Sequence, residues 1–439
     1  SSDLMLCGQL AGSATASAAP REALVIGAGI AGCTMAERLA ARGVSVQIIE
    51  RHAAPAQEAS GNPAGLLHPV LSKDDNFTSR IARACHLYAV NLLRNLRREG
   101  QEVQFDLCGI LQLARDEAQE ADQKQTLDSL GFPEDYARYV DRETASILAG
   151  QPVPQGGWYY PDSGWLSPPT FCRALLARWP DKIACRHDMR IAALRHDGND
   201  WLAIDDHGHV IARAPLVVLT NAADATRLMP TGELPMDRIR GQVSVTPAGT
   251  LPPLKMALCG NGYVTPATGG MHGGVHCFGA TFDFRDDDPE PRADGHLTNL
   301  GHLRALLPHF DSTHIDVAQL GGRVGFRTVT PDRLPLAGAV ADAGDPMSDN
   351  PSSLRREATA AEVPRQPGLY CLAGLGSRGM LWAPLTAELV AARIFGEPLP
   401  LERELVDALD PARFLLRQRR RVRLRSRCKK SPLRSTPIR

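Results

Sequence analysis

The stretch ALVIGAGIAGCTMAERLAARGVSVQIIER, residues 23–51, decides the fold. It begins with a short apolar run and continues into the pattern G-x-G-x-x-G at Gly27, Gly29 and Gly32. Helix-like spacing follows, with apolar residues four positions apart, and after Gly43 a second apolar run ends on Glu50. The order strand, glycine turn, helix, strand and carboxylate is typical of a dinucleotide-binding unit, in which the helix N-terminus faces the phosphates.

The position of Glu50 narrows the choice of dinucleotide. It lies 18 positions after Gly32, where a carboxylate can accept hydrogen bonds from a ribose diol. A carboxylate would repel a 2'-phosphate, so NADP is disfavoured, whereas NAD and FAD are equally compatible with this stretch. We also predict cofactor contacts from Ile30 and Arg51. The simpler alternative is a glycine-rich turn that serves only packing.

The bulk composition is that of an ordinary globular protein. The chain has 439 residues, of which 43% are hydrophobic and 22% charged, and its length predicts two domains. No apolar run approaches the roughly 20 residues that a membrane span needs. Ten cysteines are scattered without a C-x-x-C pair or zinc-ligand spacing, so we expect buried free thiols, no metal site and a cytoplasmic location.

The two ends differ from the body of the chain. Residues 1–20 resemble a linker and not a secretory signal, and the first residue is Ser and not Met, so we expect that a segment has been removed or omitted upstream. Residues 413–439 hold 12 Lys and Arg and no acid, which leaves 37 basic and 49 acidic residues in the rest. This basic tail is either a solvated appendage or a segment attracted to a phosphate backbone.

Several segments between the two ends have clear patterns. Helices are expected over residues 78–99 and 117–130, and three strand-like runs precede a buried strand at Leu216–Leu219. Residues 339–367 have the composition of a surface excursion.

A second strand, glycine turn and helix unit occurs late in the chain. The predicted strand is Leu369–Ala373, the turn is Gly374–Gly379 and the helix is Leu381–Phe395, closed by Gly396. Two such units at opposite ends of one chain favour a flavoprotein, because the second helix dipole can stabilise negative charge on a reduced flavin.

Three segments carry a family resemblance: EASGNPAGLLHPVLS (58–72), GRVGFRTVTPDRLPLAG (322–338) and AGLGSRGMLWAP (373–384). Together they resemble the D-amino-acid oxidase and glycine oxidase superfamily of FAD enzymes. Within it they are most similar to the oxidase modules of the enzymes that make 5-methylaminomethyl-2-thiouridine in tRNA. The likeness runs from about Arg21 to Phe414.

The resemblance implies a fold of class α/β and α+β, with a Rossmann-like FAD-binding domain and a discontinuous, mixed-sheet substrate domain. The FAD-binding domain would comprise residues 21–75, 145–222 and 328–412, and the substrate domain residues 76–144 and 223–327. The residues expected to line the flavin ring are Ser60, Gly61, Asn62, Ala64, Gly65 and Leu66. Those expected at the second glycine turn are Gly374, Gly376, Ser377, Arg378, Gly379 and Met380.

The resemblance also implies an activity. It is the FAD-dependent oxidation, at a CH–NH bond, of the carboxymethylaminomethyl group at C5 of the tRNA wobble uridine, which releases glyoxylate and leaves 5-aminomethyluridine. The partners would be tRNA and an S-adenosylmethionine-dependent methyltransferase domain, fused or in trans. One alternative is an FAD-dependent oxidase of a small free amine or amino acid such as glycine, sarcosine or proline. Another is a basic-tailed RNA-binding protein without flavin chemistry.

Three residues are candidate catalytic groups. Arg327 matches the position of a carboxylate-binding arginine in glycine-oxidising relatives, and a guanidinium can hold a carboxylate through two parallel hydrogen bonds. Arg378 lies beside the second glycine turn, within reach of substrate or flavin oxygens. Tyr263 matches a strand position that supplies an active-site hydroxyl in the superfamily. The structural alternatives are an ion pair for Arg327 and a half-buried strand tyrosine for Tyr263.

Overall fold

The structure is a computed structural model and describes residues 20–229, 234–269, 274–342 and 359–418. The linker-like segment 1–19, most of the basic tail and much of the predicted surface excursion lie outside these ranges. Among the residues described, no helix has the length and apolar character needed to cross a membrane.

The strands within the described ranges, in chain order, are β1 (Glu22–Ile26), β2 (Ser45–Ile49), β3 (Gly65–Leu67), β4 (Phe105–Asp106), β5 (Ile110–Leu113), β6 (Arg138–Val140), β7 (Gly157–Tyr160), β8 (Gly164–Leu166), β9 (Ile183–Arg186), β10 (Ala193–His196), β11 (Trp201–Ile204), β12 (Val210–Ala214), β13 (Leu216–Leu219), β14 (Asp237–Pro247), β15 (Ala257–Cys259), β16 (Tyr263–Val264), β17 (Val275–Gly279), β18 (Asp283–Phe284), β19 (Gly321–Val329), β20 (Leu336–Ala341) and β21 (Arg365–Ala373). The α-helices are α1 (Ile30–Ala40), α2 (Phe77–Arg98), α3 (Glu117–Leu130), α4 (Arg142–Ala149), α5 (Pro168–Ala177), α6 (Ala225–Leu228), α7 (Ala293–Leu306), α8 (Gly379–Phe395) and α9 (Arg403–Leu409).

A six-stranded sheet of order β20-β21-β13-β1-β2-β9 unites both ends of the chain. Strand β1 lies parallel between β2 and β13, with Val25 opposite Ile48 and Val218, and β21 pairs parallel with β13. Strand β20 is antiparallel and closes one edge. The central strands β1 and β13 are buried on both faces and are nearly continuous apolar runs, as in a sheet covered by helices.

Helices α1 and α8 pack against each other in the largest apolar core. The α1 side chains Met35 and Leu39 are fully buried in this core, as are Leu389 and Val390 from α8. The helix that follows the first glycine turn therefore lies beside the helix that follows the second. This arrangement brings the two turns, more than 340 residues apart in sequence, to the same end of the sheet.

A second, nine-stranded mixed sheet has the order β18-β14-β17-β16-β15-β5-β7-β6, and β19 also pairs with β14. Its longest pairing is antiparallel and joins β14 with β19 over nine residue pairs, from Asp237 with Val329 to Val245 with Gly321. Helix α7 packs against β14 and β17 and encloses a separate apolar core. Two small three-stranded sheets, β10-β11-β12 and β3-β8-β4, complete the fold.

The predicted fold class is confirmed, and so are the predicted elements. The helix predicted over 78–99 is α2, the one over 117–130 is α3, and the buried strand Leu216–Leu219 is β13. The division into domains stays a prediction. Strand β7, inside the segment 145–222 assigned to the FAD-binding domain, pairs with β5 and β6 in the nine-stranded sheet.

Candidate active site

The first glycine turn joins β1 to α1 and is shaped by close backbone approach. Gly27 has φ +100°, which favours glycine, and a Cβ on Gly32 would overlap the carbonyl oxygen of Gly27. Gly29 precedes α1 and supplies no side chain to cap it, so the first helical N–H finds its acceptor elsewhere: Ile30 N donates to Ser60 Oγ at 3.0 Å. The serine of the segment 58–72 thus lies over the N-terminus of α1.

Glu50 follows β2 and faces this turn. Its carboxylate accepts hydrogen bonds from the backbone N–H of Ala28 at 2.6 Å and of His52 at 2.9 Å. These bonds orient a nearly buried carboxylate at the edge of the cavity, where sequence analysis placed an acceptor for a ribose. Arg51 also lines the cavity and forms ion pairs with Glu58 at 2.6 Å and Asp224 at 2.7 Å.

The second glycine turn lies against the first. Gly374 and Gly376 have φ values of +71° and +58°, and α8 begins at Gly379. A Cβ on Gly379 would lie 3.1 Å from Ile30 Cγ2 and one on Gly65 would lie 2.6 Å from Met380 Cε. The N-termini of α1 and α8 therefore converge, and their partial positive charges act on the same space.

A cavity of about 800 Å³ extends from these two turns to the nine-stranded sheet. Most of the predicted site residues line it, and these are Gly27, Gly29, Ile30, Glu50, Arg51, Ser60, Asn62, Gly65, Leu66, Tyr263, Arg327, Gly374, Gly376, Ser377, Arg378, Gly379 and Met380. Gly32, Gly61 and Ala64 do not line it. Gly32 packs against the turn, and Ala64 is fully buried, with its carbonyl oxygen 3.5 Å from Tyr263 Oη.

Arg327 comes from β19 and enters the cavity without an acidic partner. Its Nη1 donates to the carbonyl oxygen of Thr281 at 2.9 Å, and no described Asp or Glu forms an ion pair with it. Burial lowers the pKa of this guanidinium, while Tyr263 and Asp283 act in the opposite direction. The structural alternative of an ion pair is thus absent among the described residues, and the group is available to an anionic ligand.

Arg378 is the N-cap residue of α8, and its side chain opens into the cavity. Although it is exposed there, the surrounding protein lowers its pKa by desolvation. It makes no side-chain hydrogen bond or ion pair with a described residue.

His68 shares the wall of the cavity with Arg378. Its ring lies 5.9 Å from that of Tyr160, and burial, followed by the charge of Arg378, lowers its pKa to about 3. His68 Nδ1 lies 2.8 Å from the carbonyl oxygen of Pro69, which can only accept, so Nδ1 carries the proton and Nε2 is an acceptor. Sequence analysis did not select this histidine. His276 is buried on β17 and does not line the cavity.

Tyr263, on β16, contributes a buried hydroxyl near Arg327. Its Oη lies 3.4 Å from Cys277 Sγ, and burial holds its pKa well above the ordinary value. The phenol therefore stays protonated near neutral pH.

Among the wall segments that sequence analysis missed is 189–192, which follows β9. Met189 N donates to the Glu50 carbonyl oxygen at 2.9 Å, so the segment continues beside β2 past the end of the sheet. Parallel strands place such segments at the carboxyl edge, where ligands of α/β sheets bind. Predicting this segment would have required knowing that β9 pairs with β2, and local sequence patterns do not reveal which strands pair.

Comparison with known proteins identifies the family. The family model described as FAD dependent oxidoreductase, DAO, matches residues 22–393. The chain belongs to the DAO family. This assignment makes it an FAD-dependent oxidoreductase, so the alternative of an RNA-binding protein without flavin chemistry loses its support.

The curated relatives of this DAO-family chain share one name. The tRNA 5-methylaminomethyl-2-thiouridine biosynthesis bifunctional proteins MnmC of Azoarcus sp. (strain BH72) and Aromatoleum aromaticum are 44% and 46% identical to it, over 92% and 93% of this chain. The chain spans 62% of the length of each. The predicted likeness is therefore confirmed for most of the chain, and the relatives contain a further portion that the chain does not cover.

Solved structures confirm the fold. Glycine oxidase from Geobacillus kaustophilus superposes with a TM-score of 0.70 at 21% identity, covering 90% of this chain and 99% of its own. L-proline dehydrogenase from P. horikoshii superposes with a TM-score of 0.67 at 19% identity, covering 90% and 98%.

The residues of the DAO-family cavity fit FAD. Asn62 Oδ1 and Asn221 Oδ1 are buried without a hydrogen-bond partner, and both residues line the cavity. Buried acceptors of this kind are costly unless a ligand satisfies them. Converging helix N-termini suit a pyrophosphate, and the glycines at positions 27, 29, 374 and 376 line the cavity without a side chain.

Proposed function

We propose that this enzyme oxidises the carboxymethylaminomethyl group at C5 of the tRNA wobble uridine, releasing glyoxylate and leaving 5-aminomethyluridine. The observation that carries the proposal is Arg327, a half-buried guanidinium in the cavity wall with no acidic partner among the described residues. The substituent is in effect an N-substituted glycine, so its carboxylate is the anion that Arg327 would hold. The names of the curated relatives support the same substrate.

The two glycine turns would hold FAD, which would supply the two-electron oxidation of the CH–NH unit of this substituent to an imine. Water would then hydrolyse the imine to glyoxylate and the primary amine. The protein would contribute by positioning the substrate and by placing positive charge beside its carboxylate. Arg327 would fix the carboxylate, and the protonated hydroxyl of Tyr263 would donate a hydrogen bond beside it. Arg378, on the opposite side near His68, would add a second positive charge to the pocket.

The assignment of residues to the cofactor belongs to the same proposal. The turn at Gly27, Gly29 and Ile30 would approach the pyrophosphate, with Glu50 at the ribose and Arg51 beside it. The segment from Ser60 to Leu66 and the second turn, from Gly374 to Met380, would border the flavin ring. Gly32, Gly61 and Ala64 would support these contacts through packing, because they do not face the cavity.

The partners and location are proposed with the function. The substrate would be tRNA, and an S-adenosylmethionine-dependent methyltransferase, fused or in trans, would act on the product, because a primary amine is what such a methyl transfer consumes. Both steps would occur in the cytoplasm.

The test is nucleoside analysis of tRNA that carries the carboxymethylaminomethyl group. The purified, FAD-loaded protein should convert this nucleoside to 5-aminomethyluridine and release one glyoxylate per nucleoside. Glycine, sarcosine and proline serve as competing substrates in parallel reactions. Turnover of one of these amines with unchanged tRNA would overturn the proposal in favour of a small-amine oxidase.

A further inference from the structure

Two phenylalanines lie exposed beside the entrance of the cavity. Phe282 is 41% exposed and lines the cavity wall, and Phe284 is 59% exposed on β18. Their rings meet edge to face with centroids 5.4 Å apart. Contiguous apolar groups on a protein surface can mark an interaction site. The pair is therefore a candidate interaction surface beside the cavity.

The sheet fixes the positions of these two rings. Phe284, on the edge strand β18, pairs with Ile239 of β14, and Thr281 N donates to the carbonyl oxygen of Gln242 at 3.1 Å. Between the rings, Asp283 accepts a hydrogen bond from the Thr281 hydroxyl at 2.7 Å. Aromatic groups on such a frame are preorganised, so binding to them would cost little ordering of the chain.

Arginines accompany the rings. The Cζ atoms of Arg327 and Arg333 lie 5.5 Å and 5.7 Å from the ring centroid of Phe282, and Arg238 lies 4.4 Å from that of Phe326, another wall residue. Arg333 is exposed and forms no ion pair with a described residue. The neighbouring aspartates 286, 287 and 288 are paired with Arg292 or Arg238, and these two arginines offset two of their three negative charges.

We propose that Phe282 and Phe284 form a stacking platform for the unpaired bases next to the modified uridine, and that Arg333 contacts the phosphate backbone there. Flat rings with adjacent guanidiniums are the groups by which proteins bind single-stranded bases, independently of sequence. This inference rests on the proposed function, which makes an RNA loop the substrate.

The distances agree with this order of binding. Arg327, which would hold the carboxylate, lies 5.5 Å from the ring centroid of Phe282. The uridine that carries this carboxylate would therefore lie next to the platform. Phe284 is one ring further out. A base that flanks the uridine would therefore reach Phe284, and stacking there would hold the loop while the substituent enters the cavity.

The experiment measures binding of an RNA anticodon stem-loop by fluorescence anisotropy, with the full chain loaded with FAD. Phe284→Ala and Phe284→Leu should weaken binding by about 5- to 100-fold, because stacking of one base contributes about that much. Phe284→Trp should bind within twofold of the unchanged protein. Phe77→Ala is the matched control, since Phe77 is 44% exposed at the start of α2 and lies outside the cavity wall.

Three results would overturn the platform: no binding of RNA by the unchanged protein, equal binding by Phe284→Ala and Phe77→Ala, or unchanged binding by Phe284→Leu. The last would show that any apolar side chain suffices, as for a protein partner. The nucleoside assay separates this inference from the proposed function. If the variants weaken RNA binding but tRNA yields no glyoxylate, the platform stands and the function fails. If tRNA yields glyoxylate and Phe284→Ala keeps its KM, the platform fails and the function stands.

Discussion

At the scale of single residues, Arg327 shows what sequence and structure each contribute. The segment GFRTVTPD was enough to single it out, because the residue type and its family position suit a carboxylate. Its surroundings were not predictable, since they come from a neighbouring strand. A Cβ on Gly241 of β14 would overlap the Arg327 guanidinium, so the glycine makes room for the side chain to reach the cavity.

Replacing Arg327 by Lys should impair substrate binding and leave FAD bound. Lysine keeps a positive charge but loses the planar fork that holds a carboxylate with two hydrogen bonds. Loss of one charged hydrogen bond corresponds to about 1.5–3 kcal/mol, so kcat/KM for modified tRNA should fall by roughly 10- to 100-fold. Steady-state kinetics and the flavin spectrum measure the two effects. Arg94→Lys, at an exposed ion pair with Asp162, is the control, and unchanged kinetics of Arg327→Lys would remove Arg327 as the anchor.

His86 makes the stability of the fold depend on pH. It is buried in α2, and its Nε2 lies 3.0 Å from Ser163 Oγ. Burial lowers its pKa to about 4, against the opposing effect of Asp162, and the charge of Arg94 adds to the lowering. Below its unfolded pKa of about 6.5 the unfolded chain binds a proton that the folded chain does not. The free energy of unfolding should therefore decrease as the pH is lowered from 6.5 to about 4, by up to about 1.4 kcal/mol per pH unit.

Chemical unfolding across this pH range, at saturating FAD, tests the contribution of His86. His86→Gln should flatten the pH dependence because glutamine does not titrate. His309→Gln, at an exposed position, should leave the slope as it was. Equal slopes for the two variants would assign the pH dependence to other groups.

At the scale of elements, the sequence predicted both units of strand, glycine turn and helix, because each unit is a local sequence pattern. The glycines at 27 and 374 mark positive φ values, and Gly396 ends α8 in the left-handed conformation. The sequence did not predict that the segment 189–192 lines the cavity or that β7 belongs to the nine-stranded sheet. Both depend on which strand pairs with which, and pairing is decided by contacts between distant residues and not by local propensity.

Gly32→Ala should disrupt the first unit. The added Cβ would overlap the Gly27 carbonyl oxygen inside the turn, and overpacking of this kind costs about 1–3 kcal/mol. We expect a lower flavin-to-protein absorbance ratio and a lower thermal midpoint. Gly301→Ala is the matched control, because Gly301 is also helical, in α7, and has open space around it. Normal FAD content in Gly32→Ala would show that the turn tolerates a side chain.

At the scale of the whole molecule, the basic tail follows a firmly attached segment. Burial alone would raise the pKa of Asp332, but hydrogen bonds from Arg413 and Arg417 outweigh it and lower the pKa to about 2. Arg413 and Arg417 lie 3.0 Å and 2.6 Å from the Asp332 carboxylate. The chain is thus fixed to the body up to Arg417, and the rest of the predicted tail, from residue 419, lies outside the described residues.

Deleting residues 418–439 should weaken tRNA binding and flatten its dependence on salt. Each phosphate contact that the tail makes contributes a slope of roughly 0.7 to 0.9 in a plot of log affinity against log salt concentration. Turnover at saturating tRNA and the flavin spectrum should stay the same. Binding measured at several salt concentrations decides the matter: identical slopes with and without the tail would place the RNA contacts on the folded body.

The union of β1 and β21 in one sheet has a consequence for biosynthesis. Ribosomes add about 5 to 20 residues per second, so the roughly 340 residues from Glu22 to Arg365 take about 20 to 70 s to appear. Throughout that interval α1 lacks α8, the helix it packs against, and β13, once synthesised, lacks β21, the neighbour that covers one of its edges. Flavin capture must therefore wait until β21 and α8 have been synthesised, and a chain truncated before Arg365 would be a colourless polypeptide that chaperones have to shield.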